Sequence, residues 1–194
     1  MENEKNLFVI AGPNGAGKTT ASYNILPDLL YCREFVNADE IAKGISPFQP
    51  EKVSFEAGRI MLQRIDELML KGENFAFETT LSSKTYQSRL QKARQDNYIV
   101  TLVFLWLNSV ELAKQRVKKR VEEGGHNIPE DVIERRYYRG VNNLFDIYLN
   151  IVDNVIIVDN SSINFEIIYR KTITGATEIL NQSKFDLIKT LANS

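Results

Sequence analysis

The chain has 194 residues, enough to bury the core of one domain, and its 43% hydrophobic and 25% charged content is that of an ordinary globular protein. A net charge of −1 gives no global attraction for nucleic acid or an anionic membrane, and no apolar run approaches the ~20 residues needed to span a bilayer. Cys32 is the lone cysteine, which excludes an internal disulfide and a cysteine-rich metal site.

The residues Met1–Lys5 lead straight into an apolar run, Leu7–Ala11, leaving no room for a signal peptide; a cytoplasmic protein is expected. Leu7–Ala11 predicts a buried parallel strand. Directly after it stand Gly12, Pro13, Asn14, Gly15, Ala16, Gly17, Lys18, Thr19 and Thr20, then a segment able to form a helix to about Leu30. Glycine, four residues, then Gly-Lys-Thr between a strand and a helix is the phosphate-binding P-loop pattern. Its glycines let backbone N–H groups converge on phosphate oxygens, and the positive helix end adds attraction. Lys18 has the reach for the outer phosphates, and the Thr19 hydroxyl is a ligand for Mg²⁺. The pattern implies binding of a nucleoside triphosphate.

Glu34–Asn37 predicts a short strand that delivers Asp39 at its carboxyl end. Apolar residues at helical spacing (Val53, Ala57, Ile60, Met61, Ile65, Leu68) predict one long helix from Glu51 to Lys71, stopped at Gly72. Phe75–Phe77 predicts the next strand, followed by Glu78, Thr79 and Thr80; Ser82 or Ser83 is expected to cap a helix running to Asp96. Tyr98–Leu107 is nearly all apolar and predicts a central strand covered on both faces. Asn108 with Glu111 has the form of a capping box.

Residues 114–139 hold eight of the 24 basic residues in 26 positions, interrupted by Gly124-Gly125. Arg116 and Arg120 share one helix face by their spacing, as do Arg135 and Arg139, with Arg136 adjacent. A helix–Gly-Gly–helix hairpin with arginines on both arms predicts a lid that closes over a triphosphate. His126, at its tip, reads as a loop residue. Val155–Val158 predicts a further buried strand, and 164–194 a hairpin and a helix. Strand and helix alternate throughout, so a P-loop NTPase/kinase fold is expected: one α/β domain over 1–194, with a central, mostly parallel sheet flanked by helices and an arginine-bearing helical lid.

Ligands of open parallel sheets bind beyond the carboxyl ends of the strands, where the P-loop, Asp39 and Glu78-Thr79-Thr80 converge. Asp39 is the candidate base for an attacking hydroxyl; the competing reading makes it a cap for the turn that follows. Glu78 is suited to assist the metal or grip the acceptor. Glu56 and Arg59, on the long helix, are candidates to face the acceptor, against the plainer reading of a surface ion pair.

In these residues the chain resembles the zeta toxin family of small P-loop kinases. The resemblance rests on Ala11–Thr20, Asn37–Ala42, Ala57-Gly58-Arg59, Phe77–Ser82, Gly124–Pro129 and Arg135-Arg136-Tyr137, in order over nearly the whole chain. It implies an ATP- or GTP-dependent, Mg²⁺-using kinase for a hydroxyl of a UDP-linked amino sugar, typically UDP-N-acetylglucosamine. It implies Asp39 as base, Lys18 on the phosphates, Arg120 and Arg136 as lid arginines with Arg116, Arg135 and Arg139 as competitors, and Glu78 beside the sugar. It also implies a small helical antitoxin as partner. Two other readings remain open: a kinase for a different metabolite or nucleotide, and a regulatory module that hydrolyses nucleotide slowly. Binding to nucleic acid is not expected, since the basic residues are interleaved with Glu122, Glu123, Glu130, Asp131 and Glu134.

Overall fold

The computed structural model describes residues 4–27, 30–125 and 127–192. Strand β1 (Lys5–Ala11) leads to helix α1 (Lys18–Ile25), then β2 (Glu34–Val36), α2 (Ala38–Ile45), a 3-10 turn at Pro50–Val53 and α3 (Ser54–Lys71). There follow β3 (Phe75–Thr79), α4 (Gln87–Gln95), β4 (Tyr98–Trp106), α5 (Val110–Glu122) and α6 (Glu130–Asn143). A five-residue π turn (Leu144–Tyr148) and α7 (Leu149–Ile151) lead into β5 (Asn154–Asp159), β6 (Glu166–Lys171), β7 (Thr177–Ile179) and α8 (Gln182–Leu191).

One seven-stranded sheet has the order β2-β3-β1-β4-β5-β6-β7. The first five strands are parallel, and β6 and β7 run antiparallel at one edge. Alternation along β1 sends Leu7, Val9 and Ala11 to a core shared with α3, α4 and α8, and Phe8 and Ile10 to a second core with Leu26 and Cys32. A third core joins the last residues of β4 to α5 and α6 through Leu105, Val117, Ile133 and Tyr137. Helices therefore cover both faces, and β4 is central between β1 and β5 as its apolar run predicts.

Several boundaries differ from expectation. Helix α1 ends at Ile25; the part of its predicted extension at 28–29 lies outside the described residues, as does His126. Helix α3 begins at Ser54, because Pro50–Val53 forms a separate 3-10 turn. Neither Ser82 nor Ser83 caps α4, which starts at Gln87 with no side-chain cap. Residues 80–86 are instead held by the tertiary fold: Asn143 Nδ2 donates to the Leu81 carbonyl at 2.8 Å and the Tyr148 hydroxyl to that of Ser83 at 2.7 Å. The cap of α5 is Ser109, accepting from Leu112 N–H at 3.2 Å, not Asn108.

Candidate active site

The P-loop wraps under β4 and α5. Gly12 has φ of 143°, and a Cβ there would lie 2.2 Å from the Leu105 carbonyl oxygen, so only glycine fits. Gly15 also lies close to α5: its Cβ would lie 2.9 Å from the Ala113 carbonyl oxygen. Asn160, after β5, braces the loop by donating to the Ala16 carbonyl at 2.9 Å. Lys18 is buried, donates to the Pro13 carbonyl at 3.0 Å and lies 3.6 Å from Glu78 Oε1. Burial pulls its pKa below the ordinary lysine value; Glu78 and Asp39 oppose that, and Arg120 adds to it. Thr20 is exposed on the outer side of the first turn.

Glu78 is the hub. Its Oε2 accepts from the Thr19 hydroxyl at 2.7 Å and from Asn37 Nδ2 at 2.9 Å. Asn37 is nearly fully buried, and its Oδ1 caps α2 by accepting from the N–H groups of Asp39 (2.8 Å) and Glu40 (3.4 Å). One side chain thus starts a helix and fixes a carboxylate. Asp39 is consequently not the cap. It lies in the first turn of α2, exposed, and its carboxylate has no hydrogen bond or ion pair among the described residues.

Asp39 borders two cavities. One, of about 200 Å³, is also lined by Asn14, Lys18, Glu78, Thr79, Thr80, Tyr86 and Arg136. The other, of about 270 Å³, is lined by Thr19, Asp39, Lys43, Arg120 and Gly125 among others. Asn14 is buried, and its Oδ1 has no hydrogen-bond partner among the described residues, an acceptor held ready beside the first cavity. Thr79 Oγ1 accepts from Leu81 N–H at 3.0 Å, and Thr80 Oγ1 shares a 2.8 Å bond with Ser82.

The five arginines of the helical hairpin separate by their surroundings. Arg116 donates to the carbonyls of Asn160 (2.8 Å) and Ser161 (3.0 Å), so it ties α5 to the loop after β5. Arg120 is half-buried beside Thr19 and Asp39, where Gly125 N–H bonds back to its carbonyl at 2.8 Å. Arg136 is half-buried on the Lys18–Asp39 cavity, and its side chain has no hydrogen bond or ion pair among the described residues. Burial lowers its pKa, Asp39 raises it and Arg135 lowers it further. Arg135 and Arg139 are exposed and line a separate cleft.

Glu56 and Arg59 are exposed on α3 and line neither Asp39 cavity. Asn37 and Tyr86 were not singled out by the sequence. Tyr86 stacks on Phe77 with ring centroids 4.8 Å apart and forms one wall of the cavity. An Asn preceding a helix is a cap signal, and that signal could have found Asn37.

A family model described as Zeta toxin matches residues 2–172. An uncharacterised protein of Haemophilus influenzae is 33% identical over 138 residues, 71% of this chain and 94% of that protein. The crystal structure of AvrRxo1-ORF1:AvrRxo1-ORF2 with sulphate ions superposes with a TM-score of 0.80 at 16% identity, over 100% of this chain and 66% of that chain. The same pair with ATP gives 0.78 at 16% identity over the same shares. The PezAT chromosomal toxin–antitoxin system of Streptococcus pneumoniae gives 0.68 at 16% identity, over 99% of this chain and 86% of that chain. At such identities the superpositions show the fold, and this chain spans just under two thirds of the AvrRxo1 chain's length.

Proposed function

The chain belongs to the zeta toxin family, and on that premise we propose that it transfers the γ-phosphoryl group of ATP or GTP to a hydroxyl of a small acceptor. The acceptor class implied by the family is a UDP-linked amino sugar such as UDP-N-acetylglucosamine. One observation carries the reading: the half-buried Arg136 guanidinium, without a protein partner among the described residues, shares a cavity with Lys18, Asp39 and Glu78. A desolvated cation is costly unless an anion joins it, and a transferring phosphoryl group is such an anion.

In this reading Gly12–Thr20 cradle the triphosphate, and Lys18 swings from Glu78 to the outer phosphates. Asp39 accepts the acceptor's hydroxyl proton as that oxygen bonds to the γ-phosphorus and the bond to the β-phosphate oxygen breaks, releasing the nucleoside diphosphate. Arg120 and Arg136 neutralise charge spread over the equatorial oxygens. Glu78, Thr79 and Thr80 line the acceptor side; Glu56 and Arg59, exposed on α3 and lining neither cavity, are left to a distal part of the acceptor. The Thr19 hydroxyl and the Glu78 carboxylate, 2.7 Å apart, are hard oxygen donors of the kind Mg²⁺ takes. They would hold it together with the phosphates. Bound there, the ion supplies charge neutralisation at the β- and γ-phosphates.

Residues 1–194 are read as one kinase domain with 114–139 as its lid. A small helical antitoxin is the proposed partner, supported by the likeness to a toxin–antitoxin system. Among the described residues no helix is long and apolar enough to cross a membrane, and a cytoplasmic site of action is proposed. Incubation with γ-labelled ATP and a panel of sugar nucleotides, sugars and nucleotides tests the reading. Label on an acceptor supports a kinase and identifies its substrate; label released only as inorganic phosphate contradicts it in favour of a slow hydrolase.

A further inference from the structure

The match to the family model ends at residue 172, yet the chain continues into β7 and α8, and α8 reaches back to the rim of the phosphate site. Its docking is thin. Ile188 is the one buried residue of the helix; Phe185, whose ring stacks on Tyr169 at 5.0 Å, and Leu191 are only partly buried. A helix held by so few apolar contacts lies at the low end of local stability, where a modest free energy moves it. Its polar contact is firmer: Lys184 Nζ donates to Asp159 Oδ2 at 2.5 Å and to Glu166 Oε2 at 2.6 Å.

Asp159 stands at the carboxyl end of β5, with its side chain nearly buried at 7% exposure. Its Oδ1 accepts from the hydroxyl of Ser161 and, at 2.9 Å, from the N–H of the same residue. Ser161 Oγ in turn accepts from the Asn108 N–H at 2.9 Å. Between Asp159 and Ser161, Asn160 supports two parts of the phosphate site. Its Nδ2 donates to the Ala16 carbonyl inside the P-loop. Its own carbonyl, with that of Ser161, holds Arg116 on α5, the helix that also carries Arg120. Lys184 thus neutralises and fixes the carboxylate that shapes the segment on which both the P-loop and one lid arm lean.

We propose that Lys184 is a positioning residue for nucleotide binding. By anchoring Asp159 it sets the Asn160 amide against the P-loop, so that docking of α8 and occupation of the phosphate site favour each other. The inference rests on nucleotide binding at Gly12–Thr20, and not on phosphoryl transfer or on any acceptor. Such coupling is reciprocal: whatever docked α8 contributes to nucleotide affinity, bound nucleotide returns to α8 as resistance to opening. The path is contiguous, from Lys184 through Asp159 and Ser161 to the Asn160 backbone and side chain, with a hydrogen bond or a peptide link at every step.

Hydrogen exchange on the native chain is the first test, because it needs no variant. Saturating ADP with Mg²⁺ is expected to slow exchange of the α8 amides about five- to tenfold, the low end of coupling between sites. Lys184→Met is expected to weaken ADP binding by a similar factor in calorimetry, at a temperature where circular dichroism shows the variant folded. It is also expected to abolish the protection of α8 by ADP. Lys184→Arg, which keeps the charge and the reach, is expected to restore both. A purely structural role for Lys184 would lower the melting temperature and leave ADP affinity at the native value. That result overturns the proposal, as does α8 exchange that ignores bound ADP. Failure of the native chain to bind nucleotide overturns it together with the P-loop reading, whereas a failed phosphate-transfer assay with ADP still bound contradicts the kinase reading alone.

Discussion

Lys18 Nζ lies 3.6 Å from Glu78 Oε1, and both side chains are nearly buried at 6% and 11% exposure. The phosphate-binding lysine is thus held by an internal carboxylate that also bonds Thr19 and Asn37. The free protein keeps its cation in place with an anion of its own, in the space where substrate phosphates are proposed to sit.

Glu78→Gln is expected to destabilise the free protein, because it removes the negative charge beside a buried ammonium, leaving it the Pro13 carbonyl bond and the weaker attraction of Asp39. Breaking a buried pair costs on the order of 3 kcal/mol. Urea unfolding checks this. Saturating nucleotide should recover part of the loss, since phosphates then supply the missing anion.

Asn37→Asp keeps an oxygen to cap α2 but replaces the donor facing Glu78 Oε2 with a second carboxylate. The expected result is a lower melting temperature at pH 7 that recovers as the pH falls and one carboxyl protonates. Asn37→Ala should lose about 1 kcal/mol for the cap and about 2 kcal/mol for the bond to the charged carboxylate.

Arg136→Ala removes a cation that has no hydrogen bond or ion pair among the described residues, so thermal stability should hold or rise. Phosphoryl transfer should fall by about 10²–10³ if the guanidinium meets the transition state. Arg136→Lys should not restore it, because a point charge lacks the fork. Steady-state kinetics beside a melting curve separate the two effects.

Acid stability turns on Asp159. Burial pushes its pKa up, but bonds from Lys184 and Ser161 outweigh that and leave it below the ordinary 3.8. A carboxyl lowered in the folded state adds stability that is present above 3.8 and fades as pH falls through the folded value. Melting temperature should therefore drop with acid in that window for the native chain, and less steeply for Asp159→Asn.

The P-loop and the parallel strands were legible because each is a local pattern: an apolar run, then a fixed spacing of glycine, lysine and threonine. Residues 80–86 were not. Serines there suggest a helix cap, yet Asn143 and Tyr148 from over 60 positions away fix that loop, with Leu81 at φ 58°. Spacing likewise places Arg116 beside Arg120 and Arg135 beside Arg139 without ranking them. What ranks them is the carbonyls after β5, which engage Arg116, and the cavity wall, which leaves Arg136 without a protein partner among the described residues. Asn37 joins cap and carboxylate only once β2 and β3 lie side by side.

The central claim is that the Asp39 carboxylate, unpaired among the described residues where two cavities meet, removes the acceptor's proton. The direct measurement is the transfer rate of γ-labelled phosphate to the acceptor by Asp39→Asn, with nucleotide affinity measured on the same preparation. The account predicts nucleotide affinity close to that of the native chain and transfer slowed by about 10²–10⁴. Transfer at the native rate would contradict it.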